Sequence, residues 1–136
     1  MFKNKKIEKK YLAICQGRPK ILESFVHLDI SSKEKENLKL KTETYYKVIK
    51  IKNNLSQIIF MPKTGKTHQL RIVSKNLGCP IIGDKKYNLQ TKYKNEELKL
   101  NAFEINFKIN NKFYNFSSFL PDHFKNFIKE NNLKLL

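Results

Sequence analysis

The sequence predicts an α+β fold: a mixed, mostly antiparallel sheet with a short central helix and a second helix at the C-terminal end. Three observations lead there. Period-two alternation recurs at 41–51 and 98–109, strands also read over 9–15 and 55–61, and two of the connections are Asn-Asn pairs suited to tight hairpins. The 3.6-residue period of a helix appears after Thr67 and again after Pro121. Finally, 136 residues, 40% of them hydrophobic and ten of them phenylalanine, suit a single domain, 1–136, with a modest core.

In chain order, residues 9–15 read as a strand with Leu12 and Ile14 on one face and Tyr11 and Ala13 on the other, ending at the turn Gln16-Gly17-Arg18-Pro19. The pattern over 21–30 is mixed. The charged, small-residue stretch 31–37 is expected to be a mobile loop. Residues 41–51 alternate again, and Asn53-Asn54 turns the chain into a strand over 55–61. The helix after Thr67 places Leu70, Val73 and Leu77 on one side, with Gly78 as its C-terminal cap and Pro80 as a stop. Residues 88–97 are polar and read as a surface loop. Over 98–109 the apolar phase shifts after Ala102, which a β-bulge there explains. Asn110-Asn111 leads into a partner strand carrying Phe113 and Phe116. Pro121-Asp122 then opens the last helix, with Phe124, Phe127 and Ile128 turned to the sheet.

A net charge of +16 points to a polyanionic partner, nucleic acid first, because lysines that neutralise phosphates release condensed counterions. The first residues, Met1 to Lys6, lack the apolar core of a signal peptide or membrane helix, so the chain reads as soluble and cytoplasmic. Cys15 and Cys79 fall outside any paired metal-ligand spacing and read as small buried residues of a reducing compartment.

Chemistry concentrates between Met61 and Tyr87. A Gly65-Lys66 turn leads into the helix, so His68, Gln69 and Arg71 are polar groups at its start. Of 28 basic residues only Arg18 and Arg71 are arginine, and Arg71 therefore marks a place that needs the planar two-pronged fork lysine lacks. A phosphate-binding P-loop is excluded, although Gly65-Lys66-Thr67 matches the end of that motif, because the required earlier glycine is Phe60. On residue type alone, Tyr11 fits either a half-buried strand tyrosine or a flat face for a base. Arg71 fits either an ion pair or a carboxylate clamp.

Five blocks together narrow the choice: Lys10-Tyr11-Leu12-Ala13-Ile14 with Gly17, Thr64 to Arg71, Leu77 to Tyr87, Leu100-Asn101-Ala102 and Leu120-Pro121. In order and spacing they resemble the RluA-type family of RNA pseudouridine synthases, over about residues 9–128. The resemblance implies a cofactor-free isomerase that flips a uridine out of rRNA or tRNA, detaches the base with an aspartate, and rejoins it through C5. It implies that Tyr11 stacks on the target base and that Arg71 pairs with the catalytic aspartate. The expected RNA contacts are Lys10, Lys63, Lys66, His68, Gln69, Lys85 and Lys86.

The sequence also departs from the family's pattern. The His-Arg-Leu-Asp segment that carries the nucleophile should precede the tyrosine strand, and the ten residues before Tyr11 contain no aspartate. Only Asp29, Asp84 and Asp122 occur in the chain. Asp29, in Val26-His27-Leu28-Asp29, echoes the missing motif faintly, without its arginine and on the wrong side of Tyr11. Lys66, Val73 and Asn101 stand where the family has arginine, histidine and histidine. The chain accordingly reads as the C-terminal part of a synthase catalytic domain, truncated or split, that takes its nucleophile from a separately encoded N-terminal fragment. The alternative reading is a catalytically inactive RNA-binding remnant.

Overall fold

The computed structural model describes residues 7–32 and 37–135. The centre of the expected mobile loop, 33–36, lies outside the described residues, as do the lysines before Ile7. The strands are β1 (Ile7–Gln16), β2 (Glu23–Ser31), β3 (Lys39–Lys52), β4 (Leu55–Pro62), β5 (Leu100–Ile109) and β6 (Lys112–Ser117), and the helices are α1 (Gln69–Asn76) and α2 (Asp122–Glu130). All six strands form one sheet in the order β2-β3-β4-β1-β5-β6. Every named pairing is antiparallel, so the sheet expected to be mostly antiparallel has no parallel pair among them.

β1 lies at the centre, and its alternation supplies two cores. Ala13 and Cys15 point to the side where Tyr46, Ile58, Phe60 and the α1 residues Leu70 and Val73 gather. Leu12 and Ile14 point the other way, to Leu55, Ile82 and the α2 residues Phe124, Phe127 and Ile128. Leu12, Ile14, Phe60 and Phe124 are completely excluded from solvent. Cys15 and Cys79 are both buried and unbridged. No helix among the described residues is long and apolar enough to cross a membrane.

The turn chemistry follows the sequence closely. Asn53, Asn54, Asn110 and Asn111 all adopt left-handed φ, between 49° and 64°, which is the two-residue hairpin geometry that matches strand twist. Helix α1 ends with Gly78 at φ 83°, its N–H donating to the Lys75 carbonyl and that of Cys79 to the Ser74 carbonyl, both at 3.0 Å, a Schellman cap. The phase change in β5 is a bulge: Lys10 pairs with Glu104 but Tyr11 with Ala102, and the surplus Phe103 turns to the α2 core.

Residues 21–30, mixed in pattern, contain β2, paired with β3 from Glu23–Lys47 through Ser31–Lys39. Its buried-side residues Ser24, Val26, Leu28 and Ile30 do alternate, but Phe25 stands on the opposite face, 50% exposed, and blurred the pattern. The 88–97 region is a surface loop except at Tyr93, whose ring meets Phe127 edge-on at 5.5 Å. Just after it Lys99 is fully buried. Its ammonium donates to the Glu97 carbonyl at 2.9 Å, contacts His123 Nδ1 at 3.0 Å and pairs with Glu96 at 3.1 Å, which ties this loop to α2.

Gly83 has no substitute in this arrangement. It sits at φ 83°, and a Cβ there would lie 2.3 Å from the Glu97 carbonyl oxygen. Gly83→Ala should therefore lower unfolding stability by roughly 2–4 kcal/mol, combining left-handed strain with a backbone clash. Gly65→Ala, which meets nothing within 4 Å, is the matched control. Denaturant midpoints of the two variants check this, and equal midpoints would refute it.

Candidate functional site

A cleft of about 300 Å³ opens between the exposed end of β1, the loop after β4 and the start of α1. Lys9, Tyr11, Lys66, His68, Gln69 and Arg71 line it, with Leu100 and Thr64 between them. Five residues singled out from sequence thus meet at one place: Tyr11, Lys66, His68, Gln69 and Arg71. Tyr11 is half-buried, and its register partners are Phe60 on β4 and Ala102 on β5.

Gln69 has a structural task in the fold. Its side chain is buried, its amide donates to the Glu43 carbonyl at 3.2 Å and Thr44 Oγ1 at 2.9 Å, and its oxygen accepts from Thr64 Oγ1 at 2.9 Å and the Lys66 N–H at 3.0 Å. All four hydrogen-bonding positions of the amide are used inside the protein. They pin the Thr64-Gly65-Lys66 turn to β3 and so hold Lys66 at the mouth of the cleft.

Lys10 stands on the other face of β1. Because Tyr11 faces the cleft, strand alternation sends Lys10 to the opposite face, where it pairs with Glu104 at 3.1 Å. The neighbour that does reach the cleft is Lys9. Lys63 and Lys85 are exposed outside it. Lys86 lies over the Tyr87 ring at 5.4 Å and lines a second, larger groove of about 750 Å³ between α1 and the ends of β2 and β3. That groove also receives Lys39, Lys75 and Asp29, and it shares His68 with the cleft. Asp29 is therefore on the groove side, away from the residues that line the cleft with Arg71.

The partner of Arg71 within this chain is Asp84. Nε donates to Oδ2 at 2.9 Å and Nη2 to Oδ1 at 2.7 Å, a two-pronged pair in which Asp84 is fully enclosed and Arg71 is 21% exposed. Asp84 Oδ1 also accepts the N–H groups of Lys86 and Tyr87, each at 3.0 Å, closing the turn that follows Gly83. Burial pushes this carboxyl up, but the hydrogen bonds from Arg71, Tyr87 and Lys86 outweigh it and hold its pKa below the usual value. The same hydrogen bond raises the Arg71 pKa against a smaller opposing effect of burial. Tyr87 completes the support, its ring 5.3 Å from the guanidinium carbon and its hydroxyl 3.2 Å from His68 Nδ1. Sequence reasoning placed Asp84 and Tyr87 in a recognisable block but did not assign them this clamp.

A guanidinium has five N–H donors, and Asp84 takes two, leaving three for another acceptor at the exposed edge. Among the described residues no aspartate or glutamate lines the cleft. What it can do chemically is stack a planar ring on Tyr11, meet phosphates with Lys9 and Lys66, and offer Arg71 to a carboxylate or other anion. Among the described residues no group of three or more His, Cys, Asp or Glu comes together as a metal site.

A family profile described as RNA pseudouridylate synthase matches residues 1–76. The ribosomal large subunit pseudouridine synthase C of Rickettsia bellii (strain RML369-C) is 37% identical over 137 residues, covering 90% of this chain and 45% of the relative. That of Rickettsia typhi (strain ATCC VR-144 / Wilmington) is 44% identical over 97 residues, covering 63% and 32%. The chain thus spans less than half the length of these curated relatives. In fold it is similar to human RNA pseudouridylate synthase domain containing 4, with a TM-score of 0.84 at 22% identity, covering 95% of this chain and 64% of that one.

Asp84→Asn should cost about 2–3 kcal/mol near neutral pH, since it leaves a partly enclosed guanidinium without its counter-charge. The sign with pH follows from the lowered carboxyl: its contribution is complete above the unfolded value near 4 and disappears as pH falls through the folded value. Unfolding curves of both proteins from pH 7 downward should therefore converge in acid. A gap that stays constant with pH would refute the charge assignment.

Proposed function

The chain belongs to the RNA pseudouridylate synthase family, and from that premise we propose that it binds RNA and forms one side of the active site of a uridine-to-pseudouridine isomerase. Its target class is ribosomal RNA, in line with curated relatives named as ribosomal large subunit pseudouridine synthases. The observation that carries this reading is the cleft itself: a tyrosine face, two lysines and a fixed arginine edge converge, while among the described residues no carboxylate lines the same space.

In the reaction the base of a flipped uridine lies against Tyr11, with the cost of unstacking offset by that contact. Lys9 and Lys66 hold the flanking phosphates. Arg71, fixed on one edge by Asp84, directs its remaining N–H donors at an aspartate that a separately encoded fragment brings in, keeping it ionised and oriented for attack. The clamp matters here because a guanidinium free to rotate would spend part of its hydrogen-bonding energy on ordering itself. Asp84 is too enclosed by Arg71 and its own turn to be that aspartate.

A second reading is favoured by the same carboxylate-free lining: an RNA-binding protein with no isomerase activity of its own. The two differ in outcome when this chain is assayed on ribosomal RNA alone and together with a fragment carrying the His-Arg-Leu-Asp segment. The isomerase reading expects no product from the chain alone and pseudouridine from the mixture; absence of product from the mixture leaves the binding reading. In both cases RNA affinity should fall linearly on a log-log plot against salt, and Tyr11→Ala should weaken binding of unpaired RNA by about tenfold.

A further inference from the structure

The groove beside α1, about 750 Å³, has more than twice the volume of the cleft of about 300 Å³, and the chemistry at Tyr11 makes no use of it. Its walls are α1 and the β2–β3 hairpin. Helix α1 sends Leu70 and Val73 into the core and turns Ile72, Lys75 and Asn76, spaced i, i+3 and i+4, along the groove. Across from them Leu28, Ile30 and Leu40 supply an apolar floor. The turn after Gly83 bounds one side. There Asp84 Oδ1 accepts the Lys86 N–H at 3.0 Å, so the carboxylate that clamps Arg71 also fixes the backbone of Lys86 at this wall.

His68 lines both spaces and joins them. Its backbone is left-handed, φ 56° and ψ 20°, a conformation disfavoured for a residue with a Cβ, and its Nδ1 lies 3.2 Å from the Tyr87 hydroxyl. That residue turns the chain from the cleft wall onto the groove wall. Strand alternation divides the charges nearby. Val26 and Leu28 pack on the core under α1, so Asp29 points to the far side of the hairpin, where Lys41 stands opposite it in the ladder. Glu23 and Glu43 alternate to that side too, opposite Lys47 and His27. The α1 side keeps Lys75 and Lys86, both exposed. An apolar floor by itself fits a protein segment as well as a nucleic acid. Two ammonium groups beside it and an opening into the cleft at His68 favour an RNA strand, whose sugars and base faces are apolar and whose phosphates are anionic.

We propose that the RNA strand held at Tyr11 continues past His68 into this groove and runs along α1, with its apolar surface on Leu28, Ile30 and Ile72 and two of its phosphates at Lys75 and Lys86. The proposal rests on the RNA-binding part of the function proposed above, and not on catalysis. With one nucleoside in the 300 Å³ of the cleft, the 750 Å³ of the groove takes about two more.

The test is fluorescence anisotropy of the full chain with labelled oligouridylates, a trinucleotide and a hexanucleotide, over a range of salt. The parent should bind the hexanucleotide at least tenfold more tightly than the trinucleotide. Lys75→Gln/Lys86→Gln should lose about tenfold on the hexanucleotide and little on the trinucleotide, and its slope of log affinity against log salt should be shallower by about 1.4, the share of two single-strand phosphates. Lys125→Gln/Lys129→Gln removes the same charge from α2, across the sheet, and should bind like the parent. If the double variant fails to fold, Lys75→Gln alone should make the slope shallower by about 0.7. A parent-like slope and hexanucleotide affinity in the groove variant overturn the proposal. An equal loss in the α2 variant overturns it as well, because the effect is then one of overall charge. So does a groove that serves association between copies, seen as lost self-association with RNA affinity intact. A parent that binds neither oligouridylate overturns this proposal together with the RNA-binding reading. Failure of the isomerase reading looks different: no pseudouridine on complementation, with the groove effect on binding intact.

Discussion

Everything in this molecule hangs on β1 being buried on both faces. A strand can serve two cores only if successive residues point opposite ways, and Leu12 to Cys15 do so with no loss to solvent. That constraint also fixes the site. Once Leu12 and Ile14 belong to α2 and Ala13 and Cys15 to α1, Tyr11 and Lys9 must emerge on the α1 side and Lys10 on the other. The cleft is therefore the exposed end of the same alternation that builds the interior, and its residues inherit the rigidity of the core.

The polar side of the site is organised by two side chains that face inward. Gln69 uses its whole amide to hold the Thr64 to Lys66 turn on β3, and Asp84 uses both oxygens to hold Arg71 and close its own turn. Each converts a flexible neighbour into a fixed one. The exposed groups, Lys66 and the outer edge of Arg71, are the ones left to meet a ligand. In a chain of net charge +16 that division is economical, since general attraction for a polyanion is already abundant and orientation is what remains to be supplied.

Much of the backbone was legible because it depends on neighbours in sequence. The Asn-Asn hairpins, the glycine that closes α1, the proline and aspartate that start α2 and the bulge beside Ala102 are local choices, and each left a local mark. β2 escaped because Phe25 sits on its exposed face, and a single apolar residue out of phase is enough to hide a short alternation. Tyr11, Lys66, His68 and Arg71 could be named from motif and residue type, but their meeting in one cleft brings β1 beside a helix start some sixty positions later.

What the sequence by itself determined is the class of fold, the strand faces, the turns and the family, all carried by periodicity and by short blocks with fixed spacing. What only the tertiary structure decided is how the polar groups divide: Gln69 inward, Lys9 and not Lys10 at the cleft, and Asp84 on Arg71. The reason is physical. A polar side chain is free or committed according to which donors and acceptors come within about 3 Å of it, and those arrive from elements distant in sequence.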